Sequence, residues 1–312
     1  MSRRLSGSSA RDLARRALRA RPVAGAIRAF AGVRGRGLVL LYHRVVPEPP
    51  TAATIVPWVS AELFRRHVDA LGNVGELVPL EALADGTGPH VRPRFALTFD
   101  DDYATHVEHA LPILRALGVP ATFFLSGRGL RGLGPYWFEI LERAIGAQGL
   151  ASVARLLGVV AAGPDALALA CERDRSLQAR LEGESGGSGL GSAGIEALGA
   201  GGMGVGFHTL RHRILPPMPD DELEVELTDG REDIEAVLGR RLVFFAYPHG
   251  KGDRRTAEKV RRAGYRAAFT GRPRPVGRDD DRFLLGRWEP GPLGVDDLLV
   301  GTAIRLAREA PR

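Results

Sequence analysis

At 312 residues, with 44% hydrophobic and 26% charged residues, the chain can bury a sizeable core, which excludes wholesale disorder and a membrane-embedded bundle. The net charge of +6 raises nucleic acid or an anionic surface as partners, but almost all of it is Arg spread along the chain, with only Lys251 and Lys259 as lysines, so nucleic acid is not expected. The single cysteine, Cys171, excludes an intramolecular disulfide framework and a cysteine-type zinc cluster and reads as an ordinary buried or semi-buried thiol.

Residues 1–36 are rich in Arg and Ala with scattered Leu, Ile and Phe, the pattern of a basic extension whose amphipathic helix could dock on the domain or make a peripheral membrane contact. No continuous apolar run follows the early arginines, so a signal peptide is not expected and the location reads as cytoplasmic, with membrane association left open. No later run approaches the roughly 20 apolar residues of a spanning helix.

From Gly37 a single domain is expected to run to 312, with short apolar strands at 37–43, 95–100, 121–127, 203–209, 242–248 and 265–271. Helical spacing fills 61–71, 106–117, 222–238 and 255–264 between them. Strand-then-helix repetition implies parallel strands joined by crossover helices, here an α/β fold of the distorted (β/α) barrel kind. Residues 128–200 break the rhythm and read as an insertion, with helices at 135–147 and 165–184 and a Gly/Ser loop at 183–194.

Three stretches carry chemistry, each where an apolar strand ends, which is where barrel enzymes build their sites. In the first, Phe99 leads directly into Asp100, Asp101 and Asp102, three acids that repel one another unless a cation or shared proton relieves them. Asp279, Asp280 and Asp281, by contrast, lie in a polar stretch and read as solvated surface. The second holds His208 and His212, spaced to chelate one metal; with one carboxylate they leave metal positions open, as a catalytic site requires. The third is Phe245-Ala246-Tyr247-Pro248-His249-Gly250, which alone is only a Pro/Gly turn.

Together Thr98-Phe99-Asp100-Asp101, His208-Thr209-x-x-His212 and Phe245 to Gly250 resemble the first three motifs of the NodB-homology polysaccharide deacetylases, carbohydrate esterase family four. Leu41 to Val45 and Ala263-Gly264-Tyr265 are similar to it as well, so the resemblance covers about 38–127 and 203–290. It implies a metal-dependent hydrolase that removes N-acetyl groups from an amino sugar, polysaccharide or glycoconjugate, with Asp100 as general base and Asp101, His208 and His212 holding a divalent metal, expected to be zinc. No His follows His249, and the resemblance to the permuted, poly-N-acetylglucosamine-deacetylase-like subgroup assigns the acid role to His43. Tyr247, His249, Arg287 and Trp288 are the expected oxyanion and substrate residues.

Three departures stand out: Asp102 where Gly is usual, Ala246 in place of an Arg, and no evident later Asp-containing motif. His67, His90, His106 and His109 match no motif and read as surface or packing residues. The competing readings are hydrolysis of a non-sugar amide or an O-acetyl ester, and a non-catalytic carbohydrate-binding module at the membrane.

Overall fold

The computed structural model describes residues 36–52, 54–85, 92–181 and 189–307, together with 25 and 27. Most of the basic N-terminal segment, His90 and most of the Gly/Ser loop therefore lie outside the described residues. Among those described, the strands are β1 (Gly37–Tyr42), β2 (Arg44–Val46), β3 (Trp58–Ser60), β4 (Glu76–Leu77), β5 (Arg94–Asp100), β6 (Ala121–Leu125), β7 (Gly204–Phe207), β8 (Phe244–Ala246) and β9 (Ala267–Phe269).

The main sheet runs β1-β5-β6-β7-β8-β9 with every pairing parallel, and β4 adds to the start of β5. An extended segment, 285–288, lies between β9 and β1. Leu285 N donates to Ala268 O, and Trp288 N to Val39 O, so the sheet curls into a barrel without a regular closing strand. This is the expected distorted α/β barrel, and no helix among the described residues is long and apolar enough to cross a membrane.

Side-chain alternation sorts each strand into two faces. Leu38, Leu40 and Tyr42 of β1, Phe95, Leu97 and Phe99 of β5, Phe123 of β6 and Phe245 of β8 face outward into the core beneath the helices. Val39, Ala96, Phe124, Ala246, Phe269 and Leu285 fill the barrel interior. Parallel strands covered on both faces read as nearly unbroken apolar runs, which is why each was visible in the sequence. The same two-residue period decides which polar residues at the strand ends point into the barrel mouth.

Helix boundaries differ from expectation where local chemistry intervenes. The 222–238 pattern is two helices, Asp220–Glu226 and Arg231–Leu238, because Gly230 takes φ 88° where a Cβ would press on Leu210 and Ser126 O. The 106–117 pattern opens as a wide turn, with Leu111 N reaching back to His106 O, before the helix Leu111–Leu117. The expected 165–184 helix is Pro164–Arg173 followed by Arg175–Ala179, since Asp174 leaves helical geometry and caps Ser176 N instead.

Residues 128–200 run between β6 and β7. Their helices Trp137–Gln148, Leu150–Leu157 and Pro164–Arg173 pack on a small core of their own that includes Leu141, Leu167 and the fully buried Cys171. Ile27, from the N-terminal extension, is fully buried in the main core.

Candidate active site and metal centre

The C-terminal ends of the barrel strands open into a cavity of about 540 Å³, lined by His43, Asp100, Asp101, His208, His212 and His249 from the barrel. The opposite wall is one face of the helix Pro164–Arg173, carrying Asp165, Ala168, Leu169 and Glu172, together with Trp137 and Phe138.

Asp100 shares the interior parity of Ala96 and Thr98. Its two carboxylate oxygens accept from Arg287 Nη1 at 2.6 Å and Nη2 at 2.7 Å, a bidentate pair with the arginine fully buried. Burial opposes ionisation of Asp100, but the Arg287 charge, helped by His208, outweighs it and holds the carboxyl below its usual range.

Asp101 sits just past the strand at φ 69°, a left-handed turn, and both neighbouring carboxylates reach the same imidazole, Asp100 Oδ2 at 3.6 Å and Asp101 Oδ1 at 3.8 Å from His208 Nε2. Tyr103 OH donates to Asp101 Oδ2 at 3.1 Å. Its Oδ1 has no hydrogen-bond partner among the described residues and lies 3.5 Å from His212 Nε2 and 3.8 Å from His208 Nε2. His208 Nδ1 donates to Ala246 O at 2.8 Å, which fixes the tautomer that leaves Nε2 with its lone pair toward Asp101.

Ligand atoms of Asp101, His208 and His212 lie within 4.8 Å of one another, all buried. Burial, reinforced by Asp100 and Glu139 and opposed by His43, pushes Asp101 up to about 7, and burial lowers His208 to about 4 and holds His212 well below the usual imidazole value. Two neutral imidazoles and an unpaired carboxylate oxygen converging in a buried site fit a divalent cation, which would offset the cost of ionising Asp101.

His43 shares the interior parity of Val39 and Leu41, and its Nδ1 lies 2.7 Å from Glu289 Oε1. Burial alone would lower its pKa, but Glu289, then Asp101 and Asp100, raise it to about 9. His106, fully buried, reaches the His43 carbonyl through Nε2 at 3.0 Å and stacks edge-on to Phe99, so it braces the acid-bearing turn as a packing residue. His67 is also core, bonded to Tyr42 OH and Leu293 O.

Among the described residues, the non-glycine positions at positive φ are Asp101, Thr209, His212 and His249, all in this site. Such backbone costs of order 1–3 kcal/mol each and persists where the surroundings over-determine it.

The expected oxyanion and substrate group separates. His249 lines the cavity, 4.5 Å ring-to-ring from His212. Tyr247 is fully buried on the outward face, its OH donating to Phe283 O. Trp288, outward by the same alternation, packs against Gly301 and beneath the Arg305 guanidinium. Arg287 is inside but spends its donors on Asp100 and cannot face substrate. These three are corrections, and parity is the physical reason. Arg287 also explains the Ala246 departure, because it brings a guanidinium to Asp100 from the closing segment rather than from the third motif.

Asp102 is likewise no second base. Its carboxylate accepts from Ser126 N at 2.7 Å, Ser126 Oγ at 2.6 Å and Arg128 N at 3.1 Å. Glu289, Tyr103, Glu172 and Trp137 were not singled out from the sequence. Glu289 had a signal, two residues beyond Arg287 on the same interior face; Glu172 and Trp137, on inserted helices, had none.

A parallel barrel that gathers an Asp–Arg pair, a His–Glu pair and an Asp/His/His cluster able to hold a metal ion at its strand ends has the make-up of a hydrolytic centre. The polysaccharide deacetylase family model matches residues 87–268, and the chain belongs to that family: it is a hydrolase of the amide bonds of N-acetyl sugars. The Streptococcus pyogenes deacetylase PplD, solved in complex with acetate, is 18% identical, with a TM-score of 0.60 over 86% of this chain and 99% of that one. IcaB from Ammonifex degensii is 23% identical, with a TM-score of 0.59 over 88% and 99%. A de-N-acetylase from Aggregatibacter actinomycetemcomitans, 19% identical, reaches 0.55 over 81% and 94%. These likenesses establish the shared fold. No curated protein matches the sequence.

Proposed function

We propose that this chain is a metal-dependent de-N-acetylase of an N-acetylated amino sugar within a glycan or glycoconjugate, with Asp101, His208 and His212 holding a divalent cation, zinc being the metal that best suits two imidazoles and a carboxylate. The observation that carries it is the unpaired Oδ1 of Asp101 facing two imidazole nitrogens beside an Arg-tethered Asp100. When bound, the cation supplies Lewis acidity at the acyl carbonyl and makes water acidic enough to attack near neutral pH.

The residues divide the remaining work. Asp100, kept ionised and aimed by Arg287, accepts the proton of the attacking water. His43, kept protonated by Glu289, donates to the departing amine nitrogen. The His249 backbone N–H assists the developing oxyanion. Trp137 and the helix face from Asp165 to Glu172 exclude water from one side and position the sugar.

Two readouts test this together. Asp101→Ala, His208→Ala and His212→Ala should each lose metal by elemental analysis and lose acetate release with it. Asp100→Asn should keep metal while turnover falls by about 10²–10⁴-fold. Stoichiometric metal in all three alanine variants would remove the site from consideration.

A further inference from the structure

Beside the catalytic cavity lies a larger lobe of about 1060 Å³ that shares His212, His249, Trp137 and Glu172 with it. The catalytic mechanism uses nothing else in that lobe. Four arginines line it, Arg128, Arg173, Arg211 and Arg213, against two acids, Glu172 and Glu222. Those acids are occupied, Glu172 with Lys251 and Glu222 with Arg213 at 2.7 Å. Arg211 is likewise held by Asp229. The guanidinium groups of Arg128 and Arg173 have no carboxylate partner among the described residues.

Arg128 is built as a rigid cation. Its guanidinium lies 4.5 Å over the Tyr136 ring, with Nε and Nη2 donating to Gly134 O and Nη1 to Leu210 O. A guanidinium has five N–H donors, so these three bonds leave one N–H on each terminal nitrogen, the fork that a phosphate or carboxylate accepts bidentately. A neutral glycan has no group that calls for a fixed, unpaired guanidinium at this place.

We propose that the amino sugar deacetylated here carries an anionic phosphate next to the reacting residue, bound in this lobe by Arg128 and Arg173; this rests on the deacetylase reading above. Phosphate is favoured over a carboxylate because two cations lack a counter-charge, and a sugar phosphate carries about −1.5 to −2 near neutral pH. The diphosphate of a nucleotide-linked or lipid-diphosphate-linked sugar carries a similar total, one negative charge on each of its two phosphates.

The test compares acetate release by the metal-loaded full chain from N-acetylglucosamine 1-phosphate, UDP-N-acetylglucosamine, polyprenyl-diphosphate N-acetylglucosamine and neutral chitotriose. At least one phosphate-bearing sugar should exceed chitotriose in kcat/KM by more than about tenfold, the better arm naming the source, and the preference should shrink as salt rises. Arg128→Gln and Arg173→Gln should each cut that preference by about tenfold or more, through KM. Arg128 also ties two loops together, so Arg173→Gln on an exposed helix end keeps the test decisive if Arg128→Gln does not fold.

Equal kcat/KM on charged and neutral sugars, or a preference that survives in Arg173→Gln, overturns the subsite. Calorimetric binding of N-acetylglucosamine 1-phosphate separates the two readings. Binding that depends on Arg173 without any acetate release would sink the deacetylase reading and keep the subsite. Acetate release from chitotriose with no such binding would do the reverse.

Discussion

A carboxylate that must accept a proton has to be kept ionised and aimed, and here both tasks fall to Arg287, which grips both oxygens of Asp100 in a fully buried pair. Breaking such a pair on one side leaves an uncompensated charge, so the two residues act as one unit. His43 and Glu289 form the complementary unit, and their prediction is a pH effect. The Glu289 charge is the first of the contributions that raise His43 to about 9 against burial, so His43 stays protonated at neutral pH and amide hydrolysis should fall as pH rises through that value. A bound dication would shift this limb downward.

Glu289→Gln removes the raising charge. The alkaline limb of the kcat profile should therefore move to lower pH by about a unit or more, while bound metal is retained. His43→Ala should lower kcat on an amide by about 10²–10⁴-fold, with a smaller deficit on an activated ester, whose leaving group needs little protonation. An unmoved alkaline limb, or equal deficits on amide and ester, would leave His43 as a structural support and shift the acid role to His249.

Between β5 and the inserted helices, one side chain replaces the glycine usual in the family and staples a whole element. The Asp102 carboxylate holds Ser126 and Arg128 at the beginning of the insertion, and its own carbonyl accepts from Leu190 N at 2.9 Å near the end. The wall that carries Trp137 and Glu172 is thus tied to the strand that carries Asp100. Asp102→Ala would take away the acceptor of the buried Ser126 N and Oγ, each worth about 1–3 kcal/mol, while Arg128 N would keep Ser126 Oγ at 3.1 Å. We expect a loss of more than about 2 kcal/mol in urea denaturation and a higher KM, with metal still bound at Asp101, His208 and His212. A variant as stable as the parent, with unaltered KM, would mean that the insertion is held by its other contacts.

The molecule as a whole is a barrel closed by an extended segment rather than a full strand, with helices outside and a capped mouth. The main core also reaches back into the N-terminal extension through Ile27, which is fully buried and belongs to the same core cluster as residues of β1 and of the final helix Val295–Ala307. The extension therefore contributes to the fold, and a boundary at 36/37 would cut into it. Ile27→Ala should cost about 2–5 kcal/mol, the range for emptying a buried isoleucine site. A shift in the denaturation midpoint well below that would show that the core closes without this residue.

What could be read from the chain alone was whatever depends on local pattern. Six barrel strands were legible because parallel strands buried on both faces are apolar throughout; Asp100, Asp101 and His208 stood out at the ends of such runs, and His212 by its spacing from His208. The ends of helices at Gly230 and Asp174 were not, because one φ angle or one cap overrides propensity there. Which side of the closing segment faces the mouth depends on pairing register: Leu285 meets Phe269 and Trp288 meets Leu40, pairings that join residues far apart in sequence. That register alone puts Arg287 and Glu289 inside and Trp288 outside. The docking of Asp102 on Ser126, and of the helix Pro164–Arg173 over the metal ligands, likewise arises only when segments distant in the chain are brought together. Period and composition are local properties, whereas the partner of a buried charge is set by the closed barrel.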